Sequence, residues 1–146
     1  MHVSQLQLEN FRNFKQLDLE LGPGRTVFFG GNAQGKTTLL EAMQMFATGK
    51  SMRASHERDL INVHTNEDEI PFARATGAIQ RASASLQVEI VIQLPRILKG
   101  EGAAGLGETT QIQKRVKING VTRRVSDLLG EVNAVLFAPK DIELVD

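Results

Sequence analysis

The sequence predicts an α/β fold in which a phosphate-binding loop, with its own strand and helix, sits beside a meander of antiparallel strands. Three observations carry this prediction. Residues 30–37 read Gly-Gly-Asn-Ala-Gln-Gly-Lys-Thr, which fits the P-loop pattern G-x-x-x-x-G-K-[ST]. Apolar residues at helical spacing follow the loop directly. Runs of alternating apolar and polar residues, with an Asn-Gly turn at 119–120, lie before and after it.

The chain has 146 residues, enough for one domain or a piece of one, and 41% are hydrophobic, enough for a core. Lys+Arg is 17 and Asp+Glu is 17, so the formal net charge is zero. A nucleic-acid partner is therefore not announced by bulk charge, and any such site has to come from local clustering. There is no cysteine, which excludes disulfides and thiolate metal sites and suits a reducing compartment. The start, Met1-His2-Val3-Ser4-Gln5, has no basic segment leading into an apolar one. No apolar run approaches the ~18 residues of a membrane span. The expectation is a cytoplasmic protein with no membrane partner.

Leu6 and Leu8 alternate with Gln5, Gln7 and Glu9, and Leu17, Leu19 and Leu21 alternate with Asp18 and Glu20. These are two half-buried strands, joined by Asn10-Phe11-Arg12-Asn13-Phe14 as an antiparallel hairpin. Gly22-Pro23-Gly24 turns the chain into residues 25–29, Arg-Thr-Val-Phe-Phe, a β-prone segment read as a buried strand. After the loop, Leu39, Leu40, Met43, Phe46 and Ala47 fall on one helical face, which Thr48-Gly49 closes. Residues 50–66 are polar and irregular. His56 and His64 read as solvated, and the acidic run around Glu67 lacks the His pair of a zinc helix.

Residues 72–94 are strand-like, with Leu86, Val88, Ile90, Ile92 and Leu94 in alternation before Pro95. Residues 100–105 match G-x-G-x-x-G, but no βαβ unit surrounds them, so they read as a glycine-rich hairpin loop. Ile112, Val116 and Ile118 lead to Asn119-Gly120, and residues 121–125 return. Lys114, Arg115, Lys117, Arg123 and Arg124 make this hairpin basic, fit either to touch a phosphate backbone or to guard a sheet edge. Ser126 is placed to cap a short helix ended by Gly130, and residues 132–138 read as a buried strand.

The loop has a definite chemistry. Backbone N–H groups of Gly30, Gly31, Asn32, Ala33, Gln34 and Gly35 can converge on a polyphosphate, because glycine allows the turn without a Cβ clash. The helix behind adds its unpaired N–H groups and the positive end of its dipole. Lys36, the candidate catalytic residue, sets a compact cation against the β- and γ-phosphates. Thr37 is the candidate Mg²⁺ ligand and Thr38 a donor to an inner phosphate. A nucleotide polyphosphate with Mg²⁺ is thus the ligand the loop calls for.

The fuller run GGNAQGKTTLLEAMQMFATGKSMR resembles the RecF family, where G-x-N-A-Q-G-K-T-N-L-L-E-A-I is followed by G-K-S-F-R. Thr38 stands where Asn is frequent and Met52 where Phe is usual. The opening L-x-L-x-N-F-R-N-F and the closing VLFAPKDIELVD are similar to the same family. The resemblance implies the N-terminal half of an ABC/SMC-type ATPase head, spanning residues 1–146, with a large antiparallel β component. It implies that Arg12 lies near the bound nucleotide, against the alternative of an exposed loop arginine. Arg53 fills the arginine of the second motif, and the resemblance puts its segment, residues 50–66, near the adenine side of a bound ATP with its Mg²⁺.

No signature motif and no Walker B acid is found, and Asp141 is offset from the one candidate strand end. The resemblance implies that an arm, the signature and Walker B follow in a longer protein. Such a protein would be a weak DNA-dependent ATPase, and this stretch alone would be inactive. The implied function is recombinational repair and replication-fork maintenance in the SOS response. The protein would bind single- and double-stranded DNA and aid recombinase loading at gaps, with a RecR-like partner and an ATP-dependent homodimer. Two alternatives stay open: a nucleotide-gated DNA clamp without significant hydrolysis, and an SMC-type structural head.

Overall fold

A computed structural model describes residues 1–62, 70–94 and 111–137. The expectations placed on residues 63–69, 95–110 and 138–146, among them the glycine-rich loop, His64 and Asp141, lie outside the described residues. The described chain is a six-stranded antiparallel sheet with one α-helix packed on it. Strands β1 (His2–Phe11) and β2 (Phe14–Glu20) come first, then α1 (Lys36–Thr48). Strands β3 (Phe72–Gln80), β4 (Ser85–Gln93), β5 (Gln113–Ile118) and β6 (Val121–Arg123) complete the sheet, in the order β2-β1-β3-β4-β5-β6. No described helix is long and apolar enough to cross a membrane.

The alternation read from the sequence sets the register. Leu6 pairs with Leu19 and Leu8 with Leu17, so the opening hairpin puts its leucines on one face. On the other face Asp18 accepts hydrogen bonds from Gln5 Nε2 at 2.8 Å and Gln7 Nε2 at 2.9 Å, which hold its carboxyl below the usual aspartate pKa. Residues 72–94 form two strands rather than one, with Ala75 opposite Ile90 and Ala73 opposite Ile92. Asn119 and Gly120 both take positive φ (50° and 78°), as a two-residue hairpin turn requires.

The helix lies across the face made by Leu6, Leu8, Ala75, Val88 and Ile90. Its seat is Gly77 on β3, where an added Cβ would come within 2.4 Å of the Phe46 ring. Gly49 ends the helix in the left-handed conformation, φ 68°, as its position in the sequence predicts.

Four local expectations are corrected. The buried face of α1 is Thr38, Leu39, Glu41, Ala42, Met45, Phe46 and Ala47, while Leu40 is 42% exposed. Apolar residues alone place the face at a rotated angle, because a charged residue occupies part of it. Residues 25–29 form no strand, and Val27 and Phe29 are 78% and 92% exposed. Residues 132–137 likewise form no strand: Val132 is buried, but Val135 and Phe137 are each 83% exposed. Both segments have strand composition, but neither joins the described sheet, and without a ladder partner a β-prone segment stays extended and open. Finally, Ser126 is not the cap of the last helical turn. The 3-10 turn Val125–Leu128 starts after Arg124, whose backbone N–H donates to Asp127 Oδ2 at 3.1 Å.

Candidate nucleotide site

The P-loop bridges the exposed segment at residues 25–29 and the N-terminus of α1. Its turn uses positive φ three times: Gly30 at 147°, Ala33 at 62° and Gly35 at 97°. Gly35 is doubly constrained, because a Cβ there would also meet the Phe14 ring at 2.5 Å and Asn13 Nδ2 at 2.8 Å. The tip of the β1–β2 hairpin thus presses on the loop, and only glycine leaves room for the Phe14 ring and the Asn13 amide.

The helix N-terminus is left open for an anion. Gly35 offers no side-chain cap, and the first turn of α1 carries no acid. Its N–H groups and dipole are not spent on the protein's own carboxylates. Lys36 folds back onto the loop, where Nζ donates to the carbonyl oxygens of Gly30, at 2.8 Å, and Gly31. These bonds park the ammonium over the turn.

A cleft of about 620 Å³ opens around this turn. It is lined by Asn32, Ala33, Gln34, Gly35, Lys36, Thr37 and Thr38, and by Arg12 from the hairpin tip. The structure therefore brings these predicted residues together, with Gly30 and Gly31 engaged through Lys36. Thr37 lies in the first turn of α1, and Thr38 beside it is buried. Among the described residues no cluster of three or more His, Asp or Glu could hold a metal ion alone.

The far wall of the cleft is Asn13, Asp59, Ile61 and Asn62; the resemblance puts the segment 50–66 on this side, but does not single out these residues. The segment that carries the last three runs through the 3-10 turn Glu57–Leu60 and docks on the end of β1. Arg12 N–H donates to Leu60 O at 2.8 Å, Asn62 N–H donates to Asn10 O at 2.8 Å, and Phe11 bridges to Ile61. Only Ile61 and Leu60, apolar residues inside a polar stretch, hinted that this segment is anchored.

Sequence reasoning missed Glu41, which is wholly buried. Arg12 grips it with two hydrogen bonds, Nε to Oε2 at 3.1 Å and Nη2 to Oε1 at 2.7 Å. Ser51 Oγ donates to the same carboxylate, and Arg53 Nη1 lies 3.7 Å from it. A signal was available: Glu41 falls three residues after Thr38 and four before Met45, on the buried face, where a carboxylate needs a partner.

A sequence profile of the AAA domain family matches residues 5–135. The chain belongs to that family. Over 99% of its length it is also similar to proteins named "DNA replication and repair protein RecF". It is 45% identical to that of Herpetosiphon aurantiacus and 41% identical to that of Roseiflexus castenholzii. It spans 37% and 36% of those two relatives, about a third of their length. A solved structure of the recombination mediator RecF with ATP, in the RecFOR pathway, superposes with a TM-score of 0.74 at 28% identity. The superposition covers 98% of this chain and 34% of that one. The expected fold class, an α/β P-loop ATPase with a large antiparallel part, is thereby borne out, as is the resemblance to RecF.

Proposed function

We propose that the cleft binds ATP with Mg²⁺, and that the protein carrying it is a RecF-type, ATP-dependent factor of DNA replication and repair. One observation carries the reading: a P-loop with an uncapped, acid-free helix N-terminus, Lys36 folded over the turn, and a cleft sized for a nucleotide. The names and bound nucleotides of the similar proteins support the same assignment.

In this reading the loop N–H groups from Gly30 to Gly35 hold the inner phosphates, and Lys36 leaves its two carbonyls to meet the outer ones. The Thr37 hydroxyl ligates Mg²⁺ and Thr38 donates to an inner phosphate. Mg²⁺ supplies charge neutralisation between the outer phosphates when bound. Arg12 faces the cleft from the hairpin tip. DNA, single- or double-stranded, is the proposed macromolecular ligand, a RecR-like protein the partner, and an ATP-dependent homodimer the working form. Gap-directed recombinase loading, in the SOS response and in the cytoplasm, is the setting this family reading supplies. A nucleotide-gated clamp that hydrolyses slowly or not at all uses the same residues.

Equilibrium titration with a fluorescent ATP tests the central claim. Lys36→Ala is expected to weaken ATP at least tenfold, the effect of removing one charge-assisted hydrogen bond to phosphate. ATP affinity equal to wild type in Lys36→Ala would refute the site.

A further inference from the structure

The buried carboxylate of Glu41 has no part in the phosphate chemistry above, yet its polar partners belong to the cleft or its rim. Arg12 and Arg53 both line the cleft, and Ser51 Oγ also accepts hydrogen bonds from the backbone N–H groups of Arg53, at 3.0 Å, and Ala54, at 2.8 Å. Glu41 therefore ties three separate parts of the chain together: the hairpin tip, the helix behind the P-loop, and the segment that follows the helix.

The geometry at Arg12 shows what the tie does. Its backbone sits at φ 55°, a region uncommon for a residue with a Cβ. The N–H bond to Leu60 O and the two side-chain bonds to Glu41 hold it there. Arginine has five N–H donors, and Glu41 takes one on Nε and one on Nη2. The remaining three are not taken by Glu41. The Arg12 side chain is 22% exposed while Glu41 is fully covered, so what stays accessible of the pair is the cation. A carboxylate placed this way fixes a guanidinium's direction and cannot itself repel a bound anion at close range.

We propose that Glu41 is a positioning residue: it orients Arg12 so that its guanidinium meets the phosphates of a nucleotide held by the P-loop. This rests on the nucleotide reading above and extends it to residues outside the loop. It differs from a merely structural ion pair in one respect: the effect of Glu41 on ligand affinity must pass through Arg12.

A double-mutant cycle on the full-length protein decides the matter. ATP and ADP affinities are measured by calorimetric titration for wild type, Glu41→Gln, Arg12→Gln and the double variant, with melting temperatures alongside. Glutamine removes the charge and turns one acceptor into a donor facing a donor. Glu41→Gln is expected to weaken ATP about tenfold, and the double variant to bind no worse than Arg12→Gln alone. Independent, multiplying losses in the double variant, or unchanged affinity in Glu41→Gln, overturn the proposal. Should Glu41→Gln fail to fold, Glu41→Asp, which keeps the charge and shortens the reach, runs the same cycle with the same criteria. A wild-type protein that binds neither nucleotide refutes the nucleotide reading itself, whereas wild-type binding with an additive cycle refutes only the role of Glu41.

Discussion

Gly77 shows how one residue sets the position of the whole site. It lies in the interior of β3, where glycine is intrinsically unfavourable, so its presence needs a reason. The reason is Phe46, a fully buried ring on the last turns of α1 that occupies the space a Cβ would need. The sheet accepts the helix at this distance only because position 77 has no side chain. Since α1 starts at Lys36, the same contact helps set where the helix that follows the P-loop lies on the sheet. Gly77→Ala is expected to destabilise the protein by about 1–3 kcal/mol through overpacking, against the gain its strand propensity would otherwise bring. Pairing it with Phe46→Leu should restore part of the stability, because the smaller side chain vacates the clash. Chemical denaturation of the two single variants and the double checks this. A Gly77→Ala protein as stable as wild type would mean that the helix can shift without cost.

At the scale of elements, the basic hairpin β5–β6 is divided by its surroundings. Lys114 pairs with Glu57, and Lys117 pairs with Glu89 at 2.8 Å, so these cations are partly spent inside the protein. Arg115, Arg123 and Arg124 have no ion pair among the described residues, and β6 is the edge of the sheet. Under the DNA reading, the edge arginines meet phosphate without sequence preference. Arg123→Glu with Arg124→Glu is expected to weaken DNA of any sequence alike and to lower the slope of log affinity against log salt by about two. An unchanged slope assigns the charges to edge protection instead. This hairpin was legible in the sequence because its turn is local: Asn119-Gly120 imposes the geometry by itself. The opening hairpin was legible for a similar reason, since period-two leucines fix a register without knowledge of the rest. The P-loop was legible because its chemistry dictates residue types at fixed spacing. Asp59, Asn62 and Glu41 were not, because their roles come from chain segments that meet only in three dimensions. Residues 25–29 and 132–137 misled for a physical reason: composition reports what a segment can pair with, not whether the partner strand is at hand.

Those two segments matter for the whole molecule. A water-facing surface seldom carries β-prone apolar side chains as open as Phe29, Val135 and Phe137, and unpaired extended backbone is a template for association. Near Val135, Met1, Leu40, Met43 and Val132 line an apolar groove of about 250 Å³, so that exposure adjoins further apolar surface. The chain covers about a third of the length of the RecF relatives it matches. We propose that in a protein of that length the two segments are paired strands, covered by protein outside these 146 residues. The P-loop strand would then be held from both sides, and the loop that follows it would be stiffer than in the isolated stretch. Amide hydrogen exchange measures this directly. In the isolated stretch, residues 25–29 and 133–137 are expected to exchange far faster than Val88 or Ile90 in the central strand β4. In the longer protein their protection should rise by orders of magnitude while that of β4 changes little. Phe137→Ser should also reduce concentration-dependent association of the isolated stretch without lowering its melting temperature, since an 83% exposed ring contributes little packing. Equally fast exchange of both segments in the two proteins would show that the apolar surface stays open to other partners, and that the P-loop works without a strand behind it.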